Sequence, residues 1–189
     1  MAGFGCRPRA LSGSIPASGL ALADGAVNGS WLLVGLISKN QAERAADWYL
    51  SGMFNNSVMV GFQNWGGSYS AFPEDTAGDG STPTLPFDPT KALLYELLID
   101  NLTKIAYLKI DNGAGWSSTV SHPFGADNWG WVGYEDDLSE AALIVQMWAA
   151  DGSGTTSATF GEIEVSAVPE PTTFLLWGTT AVGLAAVRR

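Results

Sequence analysis

Residues 93–113 read LLYELLIDNLTKIAYLKIDNG. Two short apolar segments, Leu93–Ile99 and Ile105–Ile110, flank the polar run from Asp100 to Lys104. Strand-length apolar runs joined by a few turn-forming residues are the pattern of an antiparallel hairpin. Lys91, Leu93, Leu94, Glu96 and Leu97 are good helix formers, so Thr90–Ile99 has a helical alternative. The turn that follows, and the matching segment beyond it, favour the strand. In the second segment Ile105, Tyr107 and Lys109 alternate with Ala106, Leu108 and Ile110, so both faces carry apolar atoms. That suits a strand packed on both sides.

The same spacing recurs outward along the chain. Trp31–Ser38, Trp48–Met53, Ser57–Gln63, Ala142–Ala149 and Ala158–Val165 are strand-length, and several show period-two alternation or β-branched and aromatic enrichment. Phe54-Asn55-Asn56 reads as a hairpin turn, and Gln41–Asp47 as a short helical turn. Gly66–Pro89 is rich in Gly, Ser, Thr, Pro and acids, and is expected to form surface loops. Short strands between glycine-rich loops predict an all-β fold, an antiparallel two-sheet sandwich over residues 30–167. Trp31, Val34, Val60, Tyr107, Leu108, Val145 and Phe160 are its expected core or core border.

Composition agrees with a single domain of this kind. The chain has 189 residues, 23 of them glycine and nine proline, which implies many turns and few long helices. Acids outnumber bases 19 to 9, for a formal charge of −10. Such a surface repels phosphate backbones, so nucleic acid is not an expected partner. The single cysteine, Cys6, excludes an internal disulfide framework and a cysteine-cluster metal site. Gly5-Cys6 has no apolar run before it of the kind a lipoprotein signal needs. Residues 1–29 are expected to be a disordered leader or a weak signal peptide. Arg7 and Arg9 precede the modest apolar stretch Ala10–Leu22, and Ala21-Leu22-Ala23 has the small-x-small form of a cleavage site. Ser12, Ser14, Pro16 and Ser18 interrupt that stretch.

Residues 168–189 read VPEPTTFLLWGTTAVGLAAVRR. Pro169 and Pro171 make the opening stiff and extended. Thr172–Val187 carries no charge, and Arg188-Arg189 follows. Phe174–Val187 would make a helix of roughly 21 Å, short against a hydrocarbon core of about 30 Å. With the threonines included and the arginines snorkelling, residues 172–187 are expected to cross the inner membrane transiently. The arginines would stop on the cytoplasmic side and leave the body outside. A buried core helix is the plainer alternative; the Pro-Glu-Pro break, the lack of a polar face and the arginine pair weigh against it.

This tail resembles the PEP-CTERM sorting domain, whose members are exosortase substrates of Gram-negative bacteria. The resemblance covers 22 residues: the VPEP opening, the apolar run with Gly178, Gly183 and Leu184, and the basic pair. It implies export by the general secretory route, recognition at Pro169, Glu170 and Pro171, and cleavage near them. It further implies a membrane stop at Arg188 and Arg189, an exosortase as partner, and delivery to the cell surface or an extracellular polysaccharide matrix. Two arginines, fewer than in many members, and the polar Trp177, Thr179 and Thr180 depart from the pattern. The body is loosely similar to laminin-G or concanavalin-like jelly rolls through Leu93–Gly113 and Thr159–Val165, and an immunoglobulin-like sandwich fits almost as well.

Eight tryptophans are many for this length. Trp31, Trp48 and Trp148 fall in expected strands and are assigned to the core. Trp65, Trp116, Trp129 and Trp131 lie in or beside glycine-rich loops. Trp65, Trp129 and Trp131, with neighbouring Asn64, Asp127 and Asn128, have the composition of a carbohydrate-binding surface, where indole faces stack on sugar rings. Plugging the ends of the sandwich is the plainer role. Glu74, Asp75 and Asp79, and Glu135, Asp136 and Asp137, lack the spaced ligand pattern of a calcium loop and read as solvated acids. His122 is the only histidine, no Gly-x-Ser-x-Gly elbow is present, and paired carboxylates carry no specificity in an acidic chain. The sequence therefore leads to a non-enzymatic exported protein without cofactor or metal, with a carbohydrate-binding module as the alternative and a glycan hydrolase as the least favoured.

Overall fold

The computed structural model describes residues 8–24, 30–38, 57–75, 83–100, 103, 105–123, 141–148 and 155–167. Through these run the strands β1 (Arg9–Ile15), β2 (Leu20–Ala21), β3 (Ser30–Ser38), β4 (Ser57–Trp65), β5 (Ser68–Asp75) and β6 (Leu85–Pro86). They continue with β7 (Leu93–Asp100), β8 (Ile105–Asp111), β9 (Val120–Pro123), β10 (Ala141–Trp148), β11 (Ser157–Ala158) and β12 (Ile163–Ala167). One sheet has the order β12-β1-β7-β8-β9, the other β10-β3-β4-β5-β6, and β11 pairs with β2. Every pairing is antiparallel. The all-β, two-sheet architecture is the one expected, and no helix occurs among the described residues.

The hairpin of residues 93–113 forms as read, with Asp100 opposite Ile105. Thr103 clamps its turn, donating from Oγ1 to Asp100 Oδ2 at 2.7 Å and from its backbone N–H to Oδ1 at 3.3 Å. On β7 residues 93, 95, 97 and 99 are buried, and on β8 residues 106, 108 and 110. Leu11, Leu97 and Leu108 stand in one cross-strand row of the first sheet, all fully buried. Leu32, Val34, Leu36, Val60 and Phe62 face them from the second sheet. Phe62 meets Tyr95 edge-on across the layers, with ring centroids 5.4 Å apart.

Several expectations are corrected. Residues 9–22 are not disordered but form β1 and β2. β1 lies between β12 and β7, and Leu11, Ile15, Leu20 and Leu22 are at most 5% exposed. Within Gly66–Pro89, β5 is a full strand with Ala71 and Phe72 buried, and Leu85 reaches the core. Trp31 is not core: Leu32, Val34 and Leu36 take the inward positions of β3, so Trp31 stands half-buried on the outer face. Tyr107 likewise lies on the outer face of its sheet, half-buried. Val145 is 45% exposed. Phe160 packs partly buried against the core, and Val34, Val60 and Leu108 are fully buried. Ala158–Val165 is not one strand but two, β11 and β12, separated at Gly161. The expected strand Trp48–Met53, the turn at Phe54-Asn55-Asn56 and the helical turn Gln41–Asp47 lie outside the described residues, as does the tail 168–189.

The sandwich has two distinct ends. Ile15, Leu93, Asp111 and the β4–β5 turn lie at one, tied together through Leu22 and the Phe87-Asp88 segment. The β7–β8 turn, Arg9, Ser38 and Ala167 lie at the other.

Candidate functional site

Trp65 ends β4, and Trp65 and Ser68 pair across a two-residue turn, Gly66-Gly67. Both glycines have positive φ, 58° and 78°. That is the backbone a type I′ hairpin demands and L side chains rarely adopt. The tip is fastened to the preceding chain. Gly67 N–H donates to Asp24 Oδ1 at 3.2 Å, Asn64 Nδ2 donates to the Leu22 carbonyl at 2.9 Å, and the Tyr69 hydroxyl reaches the same carbonyl at 3.3 Å. Trp65 is 51% exposed on this fixed mount.

The register places partners beside it. Trp31 is directly opposite Gln63, and Gln63 is opposite Ser70. Directly paired residues of antiparallel strands share a face, as do residues two apart on one strand. Trp31, Gln63, Trp65 and Ser70 therefore share the outer face of the second sheet, at its hairpin end. Gln63 Nε2 donates to Ser70 Oγ at 2.9 Å, which fixes the amide plane between the two indoles. Lower on this face Met59 lies across Gly35 and Phe72 lies across Gly61, and a Cβ on either glycine would collide with them. Both side chains are buried, so the open part of this face is its hairpin end, at the tryptophans. It is an apolar, aromatic surface with an amide and a hydroxyl interleaved, the chemistry that stacks on and hydrogen-bonds a sugar ring.

The outer face of the first sheet is different in kind. Lys109 bonds Glu96 at 3.1 Å and stands 4.6 Å from the ring centroid of Trp116, which is 48% exposed. Asp111 Oδ1 accepts from Gly113 N–H at 2.8 Å and Gly115 N–H at 3.0 Å, and both glycines have positive φ. Nearby, Asn112 holds the β6–β7 connection through the Asp88 N–H at 2.7 Å and the Asp88 and Ala92 carbonyls at 3.2 and 3.0 Å. The hydroxyl and backbone N–H of Thr90 both donate to Asp88 and hold its carboxyl below the usual range, with Lys91 adding a smaller pull. These contacts account for the polar groups of the loop as structural, and Trp116 is not on the face of Trp31 and Trp65.

Of the residues singled out in the sequence, Trp65 is exposed as a binding role requires. Trp129 and Trp131 lie outside the described residues, and so do Pro169, Glu170, Pro171, Arg188 and Arg189. His122 is buried on the inward side of β9, opposite Ala106. Among the described residues no group of three or more His, Cys, Asp or Glu could hold a metal ion. Sequence reasoning missed Trp31, Gln63 and Ser70 as a set. The odd–even parity of β3 was the available signal, since Leu32, Val34 and Leu36 claim the interior and leave Trp31 outside. No protein-family model matches the chain and no curated protein matches it, so the resemblance of residues 168–189 to a sorting domain rests on those residues alone.

Proposed function

We propose that the chain is an exported, non-enzymatic protein of the cell envelope or extracellular matrix, sorted and processed by an exosortase through residues 168–189. The observation that carries this reading is the sequence of the tail, VPEP then an uncharged run then an arginine pair, which follows β12 directly. Residues 172–187 enter the inner membrane transiently, Arg188 and Arg189 stop the transfer, and the enzyme acts at Pro169-Glu170-Pro171. Ala167 leaves the sandwich at the end opposite Trp65, so an anchored chain would hold its tryptophan face away from the bilayer. Cleavage at Ala21-Leu22-Ala23 forms no part of the proposal, because it would strip β1 from the core. The test is the mature C-terminus, read by intact-mass spectrometry from hosts with and without an exosortase. Recovery of chains through Arg189 from the extracellular fraction of the exosortase-bearing host would defeat the proposal.

A second reading makes the body a carbohydrate-binding module, and the shared face of Trp31, Gln63 and Trp65 favours it. Replacing Trp31 or Trp65 by Ala would remove a stacking surface worth on the order of 1 kcal/mol each. Affinity gels containing extracellular polysaccharides then show faster migration of each variant than of the parent chain. Equal migration of parent and variants across a broad glycan panel, with Trp129→Ala and Trp131→Ala included, would remove the support for this reading.

A further inference from the structure

Among the described residues, one side of the sandwich is open. On β10, Leu143, Val145 and Met147 stand opposite Leu36, Val34 and Leu32 of β3. Opposite residues point to the same face, so all three are directed toward the interior layer. They are nevertheless 47%, 45% and 42% exposed, against 1%, 0% and 0% for their partners. Across the gap, Val165 of β12 is opposite Leu11 and is 42% exposed, against 0%. The two edge strands thus form an apolar cleft along β10, whose sequence AALIVQMW contains no ionisable residue. The other side is closed, with Leu85 and His122 buried at its edges.

We propose that residues 174–187 of the same chain occupy this cleft whenever no membrane is available to them. The segment begins a few residues beyond Ala167, at the end of one wall of the cleft. The intervening residues 168–173 span at most roughly 20 Å, enough to turn the chain back along the strands. As a helix, residues 174–187 measure about 21 Å, close to the roughly 26 Å of an eight-residue strand. Both surfaces are uncharged. A helix running back from Ala167 brings Arg188 and Arg189 to the opposite end, where Glu162 is exposed. A second copy is a poorer occupant, since two bodies of this strongly acidic composition repel each other. The docked tail keeps fourteen uncharged residues out of water until the bilayer competes for them.

This inference rests on the reading of residues 172–187 as membrane-seeking, and the test separates the two. Full-length chains carrying Cys6→Ser with either Val145→Cys or Leu94→Cys are labelled with a maleimide, Met147→Cys replacing Val145→Cys if that chain does not fold. Leu94 is 44% exposed on the outer face of β7, so it matches Val145 in the body but lies away from the cleft. Labelling at position 145 is expected to be roughly tenfold slower than at 94, and to recover to within about twofold when Leu175→Asp and Leu176→Asp are added. Equal rates at 145 and 94 overturn the proposal. So does protection that survives the tail substitutions; where it grows with protein concentration, a second copy is the occupant instead. Vesicles of phosphatidylethanolamine and phosphatidylglycerol should release the protection. Protection they fail to release leaves the docking standing and refutes the membrane reading, whereas co-sedimentation with vesicles in a chain that was never protected does the reverse.

Discussion

Removing the first 23 residues tests the assignment of β1 to the core. A chain beginning at Asp24 loses Leu11, Ile15, Leu20 and Leu22, which are 0%, 2%, 5% and 4% exposed. Full burial of such a side chain contributes about 1.5–3 kcal/mol, so the four together contribute roughly 6–12 kcal/mol. A typical domain has about 5–15 kcal/mol in all, so the deletion removes an amount comparable to the whole stability. It also parts β12 from β7, because β1 carries the hydrogen bonds to both. The expected product has no cooperative urea transition by circular dichroism. A milder variant, Leu11→Ala in the full chain, should unfold cooperatively with a loss of about 3 kcal/mol and an unchanged slope. A chain starting at Asp24 that unfolds at the parent's midpoint would show that residues 9–22 are dispensable and refute the assignment.

The Tyr95 hydroxyl is buried without a hydrogen-bond partner, and burial pushes its pKa up to about 12. The group is held neutral in the fold but ionises near pH 10 when unfolded. Its contribution is therefore intact below about pH 10 and is lost as pH rises toward 12, a difference of roughly 2–3 kcal/mol. Tyr95→Phe should be neutral or stabilising by about 1 kcal/mol at pH 7 and should lack this alkaline loss; equal alkaline slopes in chemical denaturation would contradict the mechanism. Gly67→Ala meets no neighbouring atom, so its cost is backbone alone, about 1–2 kcal/mol, with Gly67→Asn costing less. Thermal melts that rank Asn no better than Ala would speak against the type I′ turn.

Alternation made the hairpin of residues 93–113 legible, because four inward residues on β7 and three on β8 are all apolar, and all but Ala106 are large. The same rule hid β1. Its inward positions are Leu11, Gly13 and Ile15, and the middle one is glycine because the Tyr95 ring occupies the space a Cβ would need. A close-packing requirement in the fold thus erased the periodic signal in the sequence. β5 was hidden by Pro73, which is tolerated because β6 pairs only with Ser70 and Ala71 and leaves the rest of that edge open. Val145 was legible as inward-facing but not as exposed, since exposure depends on how far the opposite sheet extends. The candidate site was readable residue by residue only at Trp65. Of its partners, Trp31 and Ser70 come from β3 and β5, and no spacing within one segment reports a cross-strand row. The proposed sorting tail is the reverse case, a linear motif that needs no tertiary structure to be read.

The place of β1 has a consequence for the order of events at synthesis. Ser14 and Glu162, bonded through the serine hydroxyl, are 148 residues apart. At elongation rates of about 5–20 residues per second, β1 waits on the order of 7–30 s for β12 to emerge. Until then one edge of the first sheet has no strand to close it, and its contacts are among the slowest kind to form. The first sheet is consequently incomplete for most of the chain's manufacture, because one of its edge strands is the last to be made. A translocase that threads unfolded polypeptide would meet a substrate whose first sheet is not yet closed at one edge.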